Sequence, residues 1–449
     1  MIKNQKRLML ILVLFICFFM LFTGCARRQS SRGGTSGEIS FTWWGDENRN
    51  AATRQAAALF EQANPGITVV TEIQPSSNAY YDKIIIQLAS NTAPDLFKFS
   101  SEWMGQVGFV ENPVLQDLWQ LTDYIDFSDF NETLLSGGEI NGRLLGVPTG
   151  ISGWAMTYNV NVFNEFARRS GRGLPPGPGE RWTIEEMLDY ARVFKQTMGD
   201  DYSMLSVGIN NLPQLMLFTV SEIAGAFYVN DRAVLQVTEQ DFVQMFRLLQ
   251  RYTDAGIIPA GHLQVEAFGE PTIPNIYIAS GQWAGWFNWT SNIPMNEATA
   301  GSESAIMAYP VIGRPEFDGL FVRPAQFWCI ASGSNNKQEA AQLLNFILND
   351  AGAIEALELQ RGVPPTERGQ RILADLGILE GTSYESTAYL AESAASPFTP
   401  FILIPELLES LRDIYSRFIL GEATAEASAA TLYADWQRSL ESIRRANGL

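Results

Sequence analysis

The chain has 449 residues, which is long for a single ordinary domain, and its composition of 46% hydrophobic and 18% charged residues is typical of a globular protein with a substantial core. Its formal net charge of −18 argues against a nucleic-acid partner and against peripheral binding to anionic lipids, because both require clusters of Lys and Arg. A single histidine and three cysteines exclude histidine-based triads and the usual zinc sites, so we expect neither a metal nor a cofactor.

The N-terminus has the pattern of a secretory signal. Three basic residues precede an apolar run from Leu8 to Phe22, and small residues follow directly before Cys25. We predict a lipoprotein signal over 1–24, cleavage before Cys25, acylation of that cysteine, and a flexible tether over 25–38. Phe22 stands where bacterial lipoproteins usually have Leu, so an uncleaved membrane anchor and an ordinary secretory signal stay open. The predicted location is the extracytoplasmic face of the cytoplasmic membrane, or the periplasm.

Strand and helix patterns alternate after residue 38. Strands are predicted over 39–43, 67–73 and 95–99, with helices over 51–63 and 81–88 between them. This βαβαβ order predicts a parallel sheet with helices on both faces. Because ligands bind beyond the carboxyl ends of such strands, residues 44–48 and 100–103 are expected at one rim of a site.

A second unit is predicted to begin near Gly150. A strand over 155–158 is followed by a helix whose first turn carries a capping box, Thr183 with Glu186. Further helical patterns cover 241–254, 338–348 and 425–445. The sequence therefore predicts an α/β chain with two units of unequal helix content.

Several short motifs, taken in order, resemble one known family, the family 1 solute-binding proteins of ABC sugar importers, which are similar to maltose-binding protein. The most specific stretch is Asn141–Pro148, followed by Thr157–Asn159. The other matching segments are Phe41–Gly45, Phe60–Ile67, Ala93–Asp95, Ser280–Ala284, Asn336–Ala341 and Arg361–Pro365.

The resemblance implies a two-lobed periplasmic-binding-protein-like fold in which each lobe is a sheet flanked by helices and the ligand cleft lies between the lobes. It implies chain crossings near 149–153, 305–310 and 360–365. Lobe I would then consist of 39–149 with 309–360, and lobe II of 150–308 with 361–449. The implied protein is a monomer and not an enzyme. It would capture a sugar, most often an oligosaccharide, and deliver it to permease subunits by hinge closure.

A sugar site needs aromatic rings for the C–H faces and fixed polar side chains for the hydroxyl groups. The family's ligand loops carry both kinds here. The segment from Arg323 to Gln326 departs from relatives that have glycines, so it either narrows the cleft or lets Arg323 bind an acidic group of the solute. The predicted ligand-binding residues are Trp44, Asp46, Asn48, Glu102, Trp103, Ser152, Trp154, Trp286, Asn288, Trp289 and Gln326.

Other functions stay open at this point. The same bilobal protein would suit a peptide, polyamine or acidic solute if several carboxylates or arginines lined the cleft and few aromatic faces were exposed. An exported glycoside hydrolase would use two carboxylates, such as Asp46 and Glu102, about 5–5.5 Å apart in a retaining enzyme and about 6.5–9.5 Å apart in an inverting one. A purely structural or signalling lipoprotein is the third alternative.

Overall fold

A computed structural model describes the chain over residues 37–74, 77–100, 103–104, 113–130, 132–207, 212–266, 275–313, 322–393, 401 and 403–447. The predicted signal, Cys25, almost all of the predicted tether, and Glu102 lie outside the described residues. Among the residues within these ranges, no helix combines the length and the apolar composition needed to cross a bilayer.

The described elements alternate between strands and helices in the first part of the chain and are mostly helical towards the end. The strands are β1 (Glu38–Trp44), β2 (Thr68–Gln74), β3 (Leu96–Phe99), β4 (Glu139–Ile140), β5 (Arg143–Leu144), β6 (Val147–Pro148), β7 (Ile151–Asn159), β8 (Trp182–Thr183), β9 (Gly285–Trp289), β10 (Ser304–Met307), β11 (Pro310–Val311), β12 (Val322–Pro324) and β13 (Phe327–Ile330). The helices are α1 (Glu47–Ala63), α2 (Ser77–Ala89), α3 (Glu132–Ser136), α4 (Val160–Ser170), α5 (Ile184–Met198), α6 (Leu212–Ala224), α7 (Glu239–Ala255), α8 (Gly261–Glu266), α9 (Ile276–Ala279), α10 (Ile293–Ala300), α11 (Lys337–Asn349), α12 (Ala351–Leu357), α13 (Glu367–Asp375), α14 (Gly381–Ser393), α15 (Pro405–Ile419) and α16 (Ala425–Asn447).

The first lobe contains a five-stranded sheet in the order β2-β1-β3-β13-β6. β1 pairs in parallel with both β2 and β3, which confirms the predicted βαβαβ unit, and β13 joins β3 from much later in the chain as an antiparallel neighbour. Side chains alternate along β1, and Phe41 and Trp43 are buried. They share one apolar core with Phe60 of helix α1 and Leu344 of helix α11. The pleat thus fixes which side chains at the strand ends are free to face a ligand.

The second lobe is formed around β7, all nine of whose residues are buried. β10, β12 and β9 pair with it antiparallel, and helices α5, α6, α7, α15 and α16 supply much of the surrounding apolar core. The capping box predicted at the start of α5 is present, with the Thr183 hydroxyl on the Glu186 amide and the Glu186 carboxylate on the Thr183 amide. The two-lobed α/β fold is therefore confirmed.

Three segments of chain cross between the lobes side by side. The Thr149 amide donates to the Gln326 carbonyl at 2.8 Å, the Ala325 amide to the Gly150 carbonyl at 2.7 Å, and the Ile151 amide to the Val363 carbonyl at 2.7 Å. The family resemblance placed the return to the first lobe near 305–310. However, β11 pairs with β8 and β12 pairs with β7, so the strand pairing places that return between β12 and β13.

Candidate solute-binding cleft

A cavity of about 680 Å³ lies at the junction of the lobes, next to the three crossing segments. The carboxyl ends of β1 and β3 form one side of it, as predicted for a parallel sheet. The ends of β9 and β12, together with α15, form the other side. Its aromatic lining is Trp44, Tyr81, Trp103 and Trp289, and its uncharged hydrogen-bonding lining includes Ser100, Thr149, Ser152, Ser291, Asn292, Gln326 and Gln360.

The cavity brings together five of the residues predicted from sequence: Trp44, Trp103, Ser152, Trp289 and Gln326. A short polar chain runs along the first-lobe wall. The Trp44 indole N–H donates to the Tyr81 hydroxyl at 3.4 Å, and this hydroxyl donates to the Gln326 side-chain oxygen at 2.8 Å. The Trp103 ring stacks on Tyr81 with 6.0 Å between centroids. These contacts hold the two tryptophans in fixed positions at the rim.

Two further predicted residues cap or cover helix α1 instead of lining the cavity. The Asp46 carboxylate accepts a hydrogen bond from the Arg49 amide at 2.9 Å, which is an N-cap contact, and the side chain is exposed. Asn48 lies in the first turn of the same helix and is also exposed. The chain enters helix α1 only two residues after β1 ends. Asp46 therefore caps the helix and Asn48 lies in its first turn, although both were predicted to bind ligand.

The predicted tryptophans at 154 and 286 lie in the core of the second lobe. Trp154 is 5% exposed and Trp286 is 2% exposed. Side chains alternate along β9, so Trp286 and Trp289 point to opposite faces of the strand. Asn288 also lies off the cavity, where its side-chain oxygen accepts from the Asn292 amide group at 3.1 Å and supports a residue that does line the cavity.

Sequence reasoning missed most of the charged lining. Five cationic side chains face the cavity, against two acidic ones, Asp82 and Glu409, among the described residues. One signal was visible in the sequence. Lys98 interrupts the otherwise apolar strand Leu-Phe-Lys-Phe, and a charge at a buried strand position needs a partner. The cations are Arg49, Lys98, Arg323, Arg361 and Arg412.

Lys98 and Arg361 are the most deeply buried cations of the first-lobe wall. Lys98 is 1% exposed; its ammonium donates to the Trp44 carbonyl at 3.2 Å and lies 3.8 Å from the Trp44 ring centroid. Burial holds the pKa of Lys98 well below its usual value, and the positive charges of Arg361 and Arg49 lower that pKa further. Arg361 is 6% exposed and donates twice to the Thr53 hydroxyl, at 3.2 and 2.6 Å.

The second-lobe wall also carries cations. The Arg323 guanidinium lies 3.9 Å from the centroid of the Trp289 ring, so it covers one face of that indole. Arg412, on α15, is half-buried, and burial lowers its pKa while the nearby Glu409 carboxylate raises it. The cavity therefore offers positive charge from both lobes and hydroxyl-binding groups between them.

Comparison with known proteins is consistent with this architecture. Residues 55–370, more than half of the chain, match the family model for bacterial extracellular solute-binding proteins. A binding protein of Brucella abortus is 22% identical over 218 residues, which is 49% of this chain and 49% of the relative. The chain thus spans about half the length of the curated relatives it matches.

Solved structures share the fold. A periplasmic solute-binding protein from Pectobacterium atrosepticum superposes with a TM-score of 0.80 at 24% identity, covering 91% of this chain and 99% of its own. A periplasmic oligogalacturonide-binding protein from Yersinia enterocolitica, in complex with saturated digalacturonic acid, gives 0.78 at 22% identity, covering 91% and 100%. A designed esterase gives 0.75 at 22% identity, covering 91% and 100%, so likeness of fold does not by itself decide function. The match to the family model does show the family: the chain belongs to the bacterial extracellular solute-binding proteins.

Proposed function

We propose that the protein captures an oligosaccharide in the cavity between its lobes and hands it to an ABC importer. The main support for this proposal is the lining of the cavity, which combines the rings of Trp103 and Trp289 with the amide and hydroxyl groups of residues such as Gln326, Asn292 and Ser152. Its volume of about 680 Å³ falls within the usual range for small-molecule sites. Aromatic rings suit the C–H faces of a sugar, and the polar groups suit its hydroxyls.

Three further observations support this proposal. The family is one of extracellular solute binders, and the Yersinia protein with the same fold holds an oligogalacturonide. Three adjacent crossing segments provide a hinge about which the lobes close on a solute. The lipobox-like sequence before Cys25 supports attachment to the membrane beside the permease.

A thermal-shift screen tests the capture role directly. The protein from Glu38 onward is heated with a panel of neutral and acidic mono- and oligosaccharides, and the unfolding midpoint is recorded. A ligand present at 100 times its dissociation constant, and bound only by the folded state, stabilises that state by about 2.7 kcal/mol. We expect a clear rise with one class of glycan. An unchanged midpoint with every sugar in the panel would contradict the proposal.

A second candidate is supported by one specific observation, the arginines in the cleft. Positive charge repels a polyamine but attracts an acidic peptide or another acidic non-sugar solute, and cations already cover one face of Trp44 and of Trp289. The same screen therefore includes acidic peptides and small polycarboxylates. Stabilisation by these compounds alone would favour the second candidate.

We propose a binding role and not an enzymatic one. Of the two carboxylates considered for glycoside hydrolysis, Asp46 caps helix α1 and is exposed, and Glu102 lies outside the described residues. Incubating the purified protein with its bound glycan and analysing the products checks this point, since turnover would show catalysis.

A further inference from the structure

We propose that the captured sugar is acidic and that Lys98 and Arg361 bind its carboxylate. This inference rests on the proposed capture of a sugar in the same cavity and names the class of that sugar. An oligosaccharide that contains uronic acid is the ligand chemistry that fits.

Lys98 and Arg361 are cavity cations that form no ion pair among the described residues. Among the described residues, no carboxylate lies within 4 Å of the Lys98 ammonium or of the Arg361 guanidinium, whereas surface cations such as Lys83, Arg172 and Arg251 each pair with an Asp or Glu. Lys98 and Arg361 are also at least nine-tenths buried. Asp46 is the acidic side chain whose charge reaches both cations, but it pairs with neither. A buried cation without a directly paired carboxylate is costly, because water no longer solvates it fully. A ligand carboxylate would supply the missing charge.

Lys98 and Arg361 also have hydrogen-bond donors that the described residues do not occupy. The Lys98 ammonium has three N–H donors, and the described structure gives it one acceptor, the Trp44 carbonyl. Arg361 donates from its Nε and its Nη2 to the Thr53 hydroxyl, while its Nη1 has no hydrogen-bond partner among the described residues. Both side chains line the cavity. Their remaining donors match the two oxygens of a carboxylate.

The opposite wall of the cavity also carries cations. Arg323 covers a face of Trp289, and Arg412 extends from α15 into the same cavity. Cations on both walls would suit a sugar with more than one carboxylate, such as a short chain of uronic acid units. The aromatic rings and amides between them would bind its ring faces and hydroxyls, so the site requires both a sugar and an acid.

The experiment compares ligands that share a disaccharide skeleton and differ chiefly in charge. Isothermal titration calorimetry measures wild-type affinity for digalacturonate, for its dimethyl ester and for the neutral disaccharide of the same linkage. Because hydrogen bonds to buried charged groups are strong, we expect digalacturonate to bind roughly 10- to 100-fold more tightly than its dimethyl ester or the neutral disaccharide. This comparison needs no variant, so it stands even if a substitution prevents folding.

Variants then assign the effect to Lys98. We expect Lys98→Met to lower affinity for digalacturonate roughly 10- to 100-fold more than it lowers affinity for the neutral disaccharide. Lys83→Met is the matched control, since Lys83 is an exposed lysine of the same lobe that pairs with Glu72. Its affinities should equal those of the wild type. The thermal midpoint of Lys98→Met, expected to be no lower than that of the wild type, reports that the variant is folded.

The outcomes separate this inference from the proposed function. Equal or tighter binding of the neutral disaccharide would overturn the acidic-sugar assignment and leave sugar capture intact. Binding of citrate or an acidic peptide, with no binding of any sugar, would overturn both. A sulfated disaccharide that binds in place of the uronate would overturn the carboxylate assignment.

Discussion

Lys98 shows how a single side chain sets the character of the cleft. It lies in the central strand β3 between buried aromatic neighbours, and the pleat turns it towards the cavity at the carboxyl edge of the sheet. The Trp44 ring and carbonyl hold the ammonium in place. Under the proposal, a cation in this position would stabilise a bound anion at the expense of the free protein, which is the usual compromise at a binding site.

Burial of Lys98 predicts a pH dependence of acid binding. In the free protein the pKa of Lys98 lies well below its usual 10.5, chiefly because of desolvation. A bound carboxylate favours the ammonium and raises that pKa, so binding takes up a proton at any pH between the two values. Affinity for digalacturonate should be level below the free-state pKa and fall as pH rises through it, by up to about tenfold per pH unit. Other groups facing this site are Arg49, Arg361, Asp46, Tyr81 and Asp82.

Calorimetry over a wide series of pH values above the range in which the ligand carboxyl groups titrate, in buffers of different ionisation enthalpy, measures both the affinity and the proton uptake. The carboxyl groups of the ligand stay ionised throughout, since their ordinary range lies far lower. Lys98→Met should abolish the uptake and flatten the profile. The same slope in both proteins would show that another group titrates.

Strand β9 illustrates which part of the site the sequence could predict. Periodicity correctly located β1, β2, β3, the helices between them and the capping box on α5, because each pattern is local. Trp286, Asn288 and Trp289 were all predicted to bind the ligand, yet they lie on one strand whose alternation buries Trp286 and turns Trp289 to the cavity. Arg361 and Arg412 reach the cavity through contacts distant in sequence, which no local pattern reveals.

The hinge elements support a prediction about Gly150. A Cβ at this position would lie 2.2 Å from the carbonyl oxygen of Arg361, which belongs to another crossing segment. Gly150→Ala must therefore push the crossing segments apart and displace Arg361. We expect a loss of about 1–3 kcal/mol in stability, typical of overpacking, together with weaker digalacturonate binding. Differential scanning calorimetry and titration of the ligand measure the two effects.

Gly173→Ala is the control for this change, because a Cβ there meets nothing within 4 Å. It should match the wild type in midpoint and in affinity. If Gly150→Ala also matched the wild type, the close approach of the crossing segments would not constrain the hinge.

The net charge of the molecule and the charge of its cleft have opposite signs. The chain carries −18 overall, while five cations and two carboxylates line the described cavity. The composition predicts against a polyanion that covers the surface, and it gives no information on a small anion that enters a cleft. Lys98 and Arg49 belong to the first lobe, and Arg323 and Arg412 to the second. We therefore expect a net repulsion between the two walls when no anion separates them, reduced by Asp46 beside Arg49, by Asp82 and by Glu409 near Arg412.

This repulsion predicts that closure depends on ligand charge. Digalacturonate would offset the positive charge on both walls and let the lobes approach, so the radius of gyration from small-angle X-ray scattering should fall when it binds. The neutral disaccharide at the same concentration should leave the radius near its unliganded value, and Lys98→Met should respond as the wild type does to the neutral sugar. Scattering that stays constant while calorimetry shows the acid to be bound would mean that the lobes are already closed without ligand, and that charge across the cleft does not hold them apart.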